Sequence, residues 1–127
     1  MLERRRFLGA SAAMAAAGGA AAAPRPMYGL IGKMLAQPGK RDELAALLLA
    51  ATGSMPGCLS YVVAADKTDP NAIWITEVWD GPASHQASLK LPAVQAAIAK
   101  ARPLIAGFGE RFETTPLGGA GLSRSAQ

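Results

Sequence analysis

Two hydrophobic periodicities alternate along this chain, and their order restricts the fold more than any other feature. Tyr28 to Leu35 (YGLIGKML) is a compact apolar run broken by Lys33 and stopped by Gln37-Pro38-Gly39, the pattern of a first strand. Over Lys40 to Thr52 the period changes: Leu44, Leu47, Leu48 and Ala51 fall at i, i+3, i+4 and i+7. That spacing makes one apolar face of a helix, with Lys40, Arg41, Asp42 and Glu43 solvated at its start. Gly53 is a natural stop for it. Met55-Pro56-Gly57 then forms a turn, and Cys58 to Asp66 (CLSYVVAAD) alternates, with Leu59, Tyr61, Val63 and Ala65 on one side. Asp69-Pro70-Asn71 reverses the chain. Ala72 to Asp80 (AIWITEVWD) is rich in β-branched and aromatic residues and reads as the hairpin partner.

Asp80 is placed to N-cap a short helix with Pro82 in its first turn, ending near Lys90-Leu91-Pro92. A second helix starts at Pro92, carries Val94, Ala97, Ile98 and Ala101 on one face, and is bent or ended near Arg102 by Pro103. Gly107 to Thr115 (GFGERFETT) reads as the last strand, with Phe108 and Phe112 on one side. The domain is expected over residues 27–116, followed by a flexible Gly/Ser-rich tail over 117–127. The order β-α-β-β-α-α-β predicts an α+β, ferredoxin-like fold, an antiparallel sheet with helices on one face. The bare face then carries Trp74, Val78 and Val62, and an uncovered apolar face calls for a partner, most economically a second copy.

Half the residues are hydrophobic and 17% charged, which excludes disordered and fibrous classes. Of the net charge of +4, Glu3, Arg4, Arg5 and Arg6 supply +2, and the remainder contains no Lys/Arg run, so no nucleic-acid partner is expected. One cysteine, Cys58, and one histidine, His85, cannot make an intramolecular disulfide or a His/Cys zinc site. Neither a GxGxxG nor a P-loop spacing is present, so no nucleotide cofactor is expected.

Residues 1–23 read as a twin-arginine signal peptide rather than as fold. Arg4 and Arg5, a spacer, then Phe7 and Leu8 match the export pattern, and a weakly apolar Ala/Gly stretch follows. Ala20-Ala21-Ala22 satisfies the small-x-small rule for cleavage before Ala23 or nearby. Alanine contributes little to membrane insertion, so no stable span is expected after cleavage. The expected location is periplasmic or otherwise exported.

Tyr28-Gly29-Leu30-Ile31-Gly32-Lys33 followed by Pro38-Gly39-Lys40-Arg41 resembles the opening of the antibiotic biosynthesis monooxygenase (ABM) family. Gly57-Cys58-Leu59-Ser60-Tyr61, then Glu77-Val78-Trp79, then His85 continue the resemblance, which covers residues 28 to 115. It implies a dimeric α+β barrel with a small pocket between sheet and helices. It also implies an oxygenase that works without metal or flavin on a quinol or polyhydroxylated aromatic: the phenol loses a proton and its anion reduces O2. Such a site needs a dry cavity, a proton acceptor and groups that stabilise the anion. Haem-degrading members use an Asn on the first strand and a late histidine. Gly32 stands at the first of these positions, and residues 92–106 contain no histidine, which argues against haem.

Five residues carry this chemistry if the resemblance holds. Trp79 is either a pocket wall that stacks on a flat substrate or a core aromatic covering the sheet. Glu77, two residues earlier on the same face, is either a base or one half of an ion pair with Arg111 or Lys33. His85 is either a proton carrier, since imidazoles titrate near neutrality, or an exposed helix residue. Tyr61 either bonds a substrate oxygen or packs the sheet. Lys33 either stabilises a phenolate or pairs with a carboxylate. The competing reading is a non-catalytic dimeric barrel that binds a small hydrophobic ligand.

Overall fold

The computed structural model describes residues 25–122. The twin-arginine motif, the cleavage site and the last residues of the tail lie outside that range. Four strands and three helices follow one another: β1 (Tyr28–Ala36), α1 (Arg41–Ala51), β2 (Cys58–Ala65), β3 (Ala72–Trp79), α2 (Pro82–Ser88), α3 (Pro92–Ala101), a 3-10 turn (Arg102–Leu104) and β4 (Ile105–Thr114). The sheet order is β2-β3-β1-β4, every pairing antiparallel. Strand β3 is thus inserted between β1 and β2, and the expected ferredoxin-like α+β arrangement is present.

Strand parity decides what faces the helices. On β3 that set is Ile73, Ile75, Glu77 and Trp79. The cross-strand partners extend it to Tyr28, Leu30, Gly32 and Met34 on β1, and to Tyr61, Val63 and Ala65 on β2. Leu44 of α1, fully buried, packs with Ala36, Ile73, Ile75, Ala101 and Leu104 into the core. Burying a leucine side chain completely contributes about 1.5–3 kcal/mol, so the i, i+3, i+4 stripe of α1 is what fixes that helix to the sheet. Leu47 and Leu48 complete the stripe, partly buried against the same cluster.

The opposite face has no layer over it among the described residues. It carries Val62, Trp74, Thr76, Val78, Ile31 and Phe112. Val62 and Phe112 remain about half exposed, at 51% and 53%. Trp74 is tied down: its indole N–H donates to Asp66 Oδ2 at 2.8 Å, and Lys33 Nζ lies 5.6 Å from its ring centroid.

Local details depart from the sequence reading in three places. Phe108 and Phe112 lie on opposite faces, because the β1–β4 register shifts between Gly32 and Met34 and a β-bulge absorbs one residue of β4. A second shift, between Cys58 and Ser60, removes Leu59 from the Tyr61/Val63/Ala65 stripe and sets Cys58 opposite Trp79. Gly81, not Asp80, is the N-cap of α2. Asp80 Oδ1 instead accepts the Ser84 hydroxyl at 2.5 Å. The turn before β2 does need its glycine: Gly57 has φ +83°, and a side chain there would run into Ser84 and Asp80.

Candidate active site

Between the helix-covered face of the sheet and the three helices lies a cavity of about 650 Å³, within the range of small-molecule sites. Its walls are largely apolar, with Met34, Leu48, Ile75, Val94, Ala97 and Phe108 among them, and among the described residues its only carboxylate is Glu77. Tyr61, Trp79 and His85 line it as well.

Glu77 and Trp79 are brought together by the two-residue period of β3. The Trp79 indole N–H donates to Glu77 Oε1 at 2.9 Å. His85, carried in by α2, places Nε2 3.9 Å from the same oxygen. That separation exceeds a hydrogen bond but lies within reach of an ion pair with a protonated imidazole. Both contacts fall on Oε1. The Glu77 side chain is only 13% exposed. Burial lifts its carboxyl above the ordinary carboxylate range, and the Trp79 bond and the positive charges of His85 and Arg111 pull the other way. Of the two partners the sequence offered Glu77, Arg111 acts on it through charge, and Lys33 lies elsewhere.

His85 is buried, not exposed on a helix surface. It packs edge-on to the Trp79 ring at 5.5 Å and tilted against the Tyr28 ring at 5.5 Å. Its Nδ1 is buried without a hydrogen-bond partner, an unusual condition for a polar atom in a folded chain. Trp79 is 1% exposed and among the largest fully buried side chains. It is therefore core and cavity wall at once. Tyr61, directly across from Glu77, has its phenol pushed up by burial first and by the Glu77 charge second. The hydroxyl stays protonated and is available as a donor.

Lys33 does not join this group. It has the parity of the open face, and its Nζ sits 4.0 Å from Glu110 and over Trp74. Cys58 lies outside the cavity, its thiol pushed up by burial. Among the described residues, no three His, Cys, Asp or Glu side chains converge as a metal site would require.

Sequence reasoning missed Tyr28, whose hydroxyl donates to Glu113 Oε2 at 2.6 Å while its ring braces His85. The available signal was its parity with Leu30 along β1. It also missed Phe108 and Arg102 at the cavity, because the β4 bulge and the 3-10 turn that place them have no periodic signature.

The profile of the antibiotic biosynthesis monooxygenase family matches residues 27–100. Among solved structures, a candidate antibiotic biosynthesis monooxygenase from Chloroflexus aurantiacus J-10-fl is 66% identical, with a TM-score of 0.75; the match covers 76% of this chain and 99% of that one. One from Deinococcus radiodurans is 27% identical, covering 72% and 94% with a TM-score of 0.61. One from Caulobacter crescentus, at 21% identity, 75% and 93% coverage and a TM-score of 0.67, shows the fold alone. No curated protein sequence matches the chain. The family match spans more than half of the chain and the Chloroflexus protein is 66% identical, so the chain belongs to the antibiotic biosynthesis monooxygenase family.

Proposed function

We propose that the protein is a cofactor-independent monooxygenase that oxidises a quinol or polyhydroxylated aromatic with O2. The observation that carries this reading is the Glu77–Trp79–His85 cluster set into an otherwise apolar cavity. Trp79 bonds Oε1 and His85 lies on the side of that same oxygen, which leaves Oε2 to accept a phenolic proton. A carboxyl lifted by burial is a stronger base than an ordinary one, the direction general-base chemistry needs near neutral pH. Tyr61 donates to the developing phenolate, and the apolar walls beside Glu77 strengthen that bond. The anion passes electrons to O2. One oxygen atom bonds to a ring carbon and the other leaves as water, so a quinol plus O2 becomes a hydroxyquinone plus water. O2 accepts four electrons: two from oxidation of quinol to quinone and two from the ring C–H that is replaced.

The test is oxygen uptake by the purified protein on a panel of quinols, corrected for autoxidation. Saturable uptake that survives a chelator supports the reading. Tight binding without uptake across the panel replaces it with a ligand-binding barrel, to which the apolar walls are equally suited.

Two further parts belong to this proposal. Two copies pair through the open sheet face, where Val62 and Phe112 are left half exposed and a stable interface needs about 800 Å² per partner. The chain is exported by the twin-arginine route, which the Arg4-Arg5-x-Phe7-Leu8 spacing supports. Because that route carries folded proteins, the cavity is formed before export.

A further inference from the structure

On the helix-covered face, β1 presents Leu30, Gly32 and Met34 in succession, and Gly32 lies in register between Ile75 of β3 and Arg111 of β4. Each of these neighbours has a side chain and Gly32 has none. A methyl group built on Gly32 meets no atom within 4 Å. The missing side chain leaves a notch of about 220 Å³. Leu30, Met34, Ile75 and Phe108 give it apolar walls, and Glu77, Arg111 and the Lys33–Glu110 pair line it as well. The main cavity and the notch share Met34, Ile75, Glu77 and Phe108, so the carboxylate stands where the two compartments meet. At about 30 Å³ per water molecule, the notch holds roughly seven waters or one branched alkyl group.

We propose that this notch is a second subsite of the same active site and takes an apolar substituent of the quinol ring. The ring lies in the main cavity with its hydroxyl at Glu77, and the substituent passes beside Phe108 onto the Gly32 floor. Leu30, Met34 and Ile75 supply the apolar contact, and Arg111 bounds the far side. The preferred substrate is therefore an alkyl-substituted quinol, not a bare ring. The assignment of this substrate class rests on the quinol reading above, whereas the geometry of the subsite does not.

The probes are hydroquinone and tert-butylhydroquinone, and the variants are Gly32→Val and Gly32→Ala. A Cβ at Gly32 meets no atom within 4 Å, so alanine is accommodated, and the β-branched valine suits a strand. Wild type is expected to favour the tert-butyl compound. In Gly32→Val the ratio of kcat/KM, substituted over bare, is expected to fall by at least about tenfold, with Gly32→Ala between. An unchanged ratio, whether both substrates lose rate together or neither does, overturns the subsite. If wild type oxidises neither compound, the quinol reading fails, and the same pair is titrated anaerobically by quenching of tryptophan fluorescence. Selective weakening of tert-butylhydroquinone binding in Gly32→Val then still supports the subsite; equal weakening, or no binding of either, overturns it.

Discussion

Glu77→Gln separates a carboxylate kept for proton transfer from one kept for structure. The substitution preserves shape, and the amide oxygen can still accept the Trp79 N–H that lies 2.9 Å from Oε1. What it removes is a negative charge on a side chain 13% exposed. Burying a carboxylate costs several kcal/mol. The charge-assisted Trp79 bond returns about 1.5–3 kcal/mol, and the His85 contact at 3.9 Å returns less. Burial prevails, because the carboxyl is lifted above its ordinary 4.5. A group whose folded pKa exceeds its unfolded one contributes stability below the unfolded value and loses it as pH climbs through the folded value. At neutral pH the ionised Glu77 is thus a net cost. Glu77→Gln is expected to be more stable than wild type there by on the order of 1 kcal/mol. For a domain of this size that is a rise of about 4–8 °C in Tm. The advantage should fade as pH is lowered toward 4.5, where wild type regains its proton. Turnover should move the other way, falling by about 10²–10⁴-fold, the usual contribution of a general base. Urea unfolding between pH 5 and pH 8 and oxygen uptake on the same samples read both quantities. A variant that is less stable throughout, with turnover intact, would make Glu77 half of a structural ion pair and remove it from the chemistry.

Trp79→Phe should cost roughly 1–3 kcal/mol, less than truncation to alanine, because the six-membered ring still fills the core. It should also move the acid limb of the pH–rate profile upward, since the lost N–H was lowering the Glu77 pKa; an unmoved limb separates Glu77 from that limb. Val62→Asp combined with Phe112→Asp should convert a dimer into monomers by light scattering without abolishing the circular dichroism of the fold, and an unchanged mass places the interface elsewhere. Arg4→Lys with Arg5→Lys should leave the protein in the cytoplasm on fractionation, whereas undiminished export assigns the leader to another route.

Element order was legible because each segment has one dominant period. The helix expected over Lys40 to Thr52 is found at Arg41–Ala51, and the strand read at AIWITEVWD is β3. The pairing of Glu77 with Trp79 was legible for the same reason, since a period of two puts both on one face. Bulges are what parity cannot see. One inserted residue in β4 sent Phe108 to the cavity and Phe112 to the open face, and another removed Leu59 from its stripe. The His85 environment depends on the β1–β3 register and on how α2 docks. Both are long-range facts, so neither the brace from Tyr28 nor the burial of the imidazole could be read locally. Lys33 was grouped with the site as a lone cation in an apolar run, although its parity opposes that of Leu30 and Met34. The notch over Gly32 is a property of what surrounds an absent side chain, and becomes visible only when three strands are in register.

The central place of β1 also has a kinetic side. Its two neighbours, β3 and β4, are both later in the chain, and β4 is the last strand made. During synthesis an apolar nine-residue segment, YGLIGKMLA, therefore waits for its second partner until the last strand is made. Segments of that composition seed intermolecular pairing when no charge interrupts them. Lys33 is the one charge in it. Lys33, which does not line the main cavity, is thus the charge that discourages such pairing before the last strand arrives.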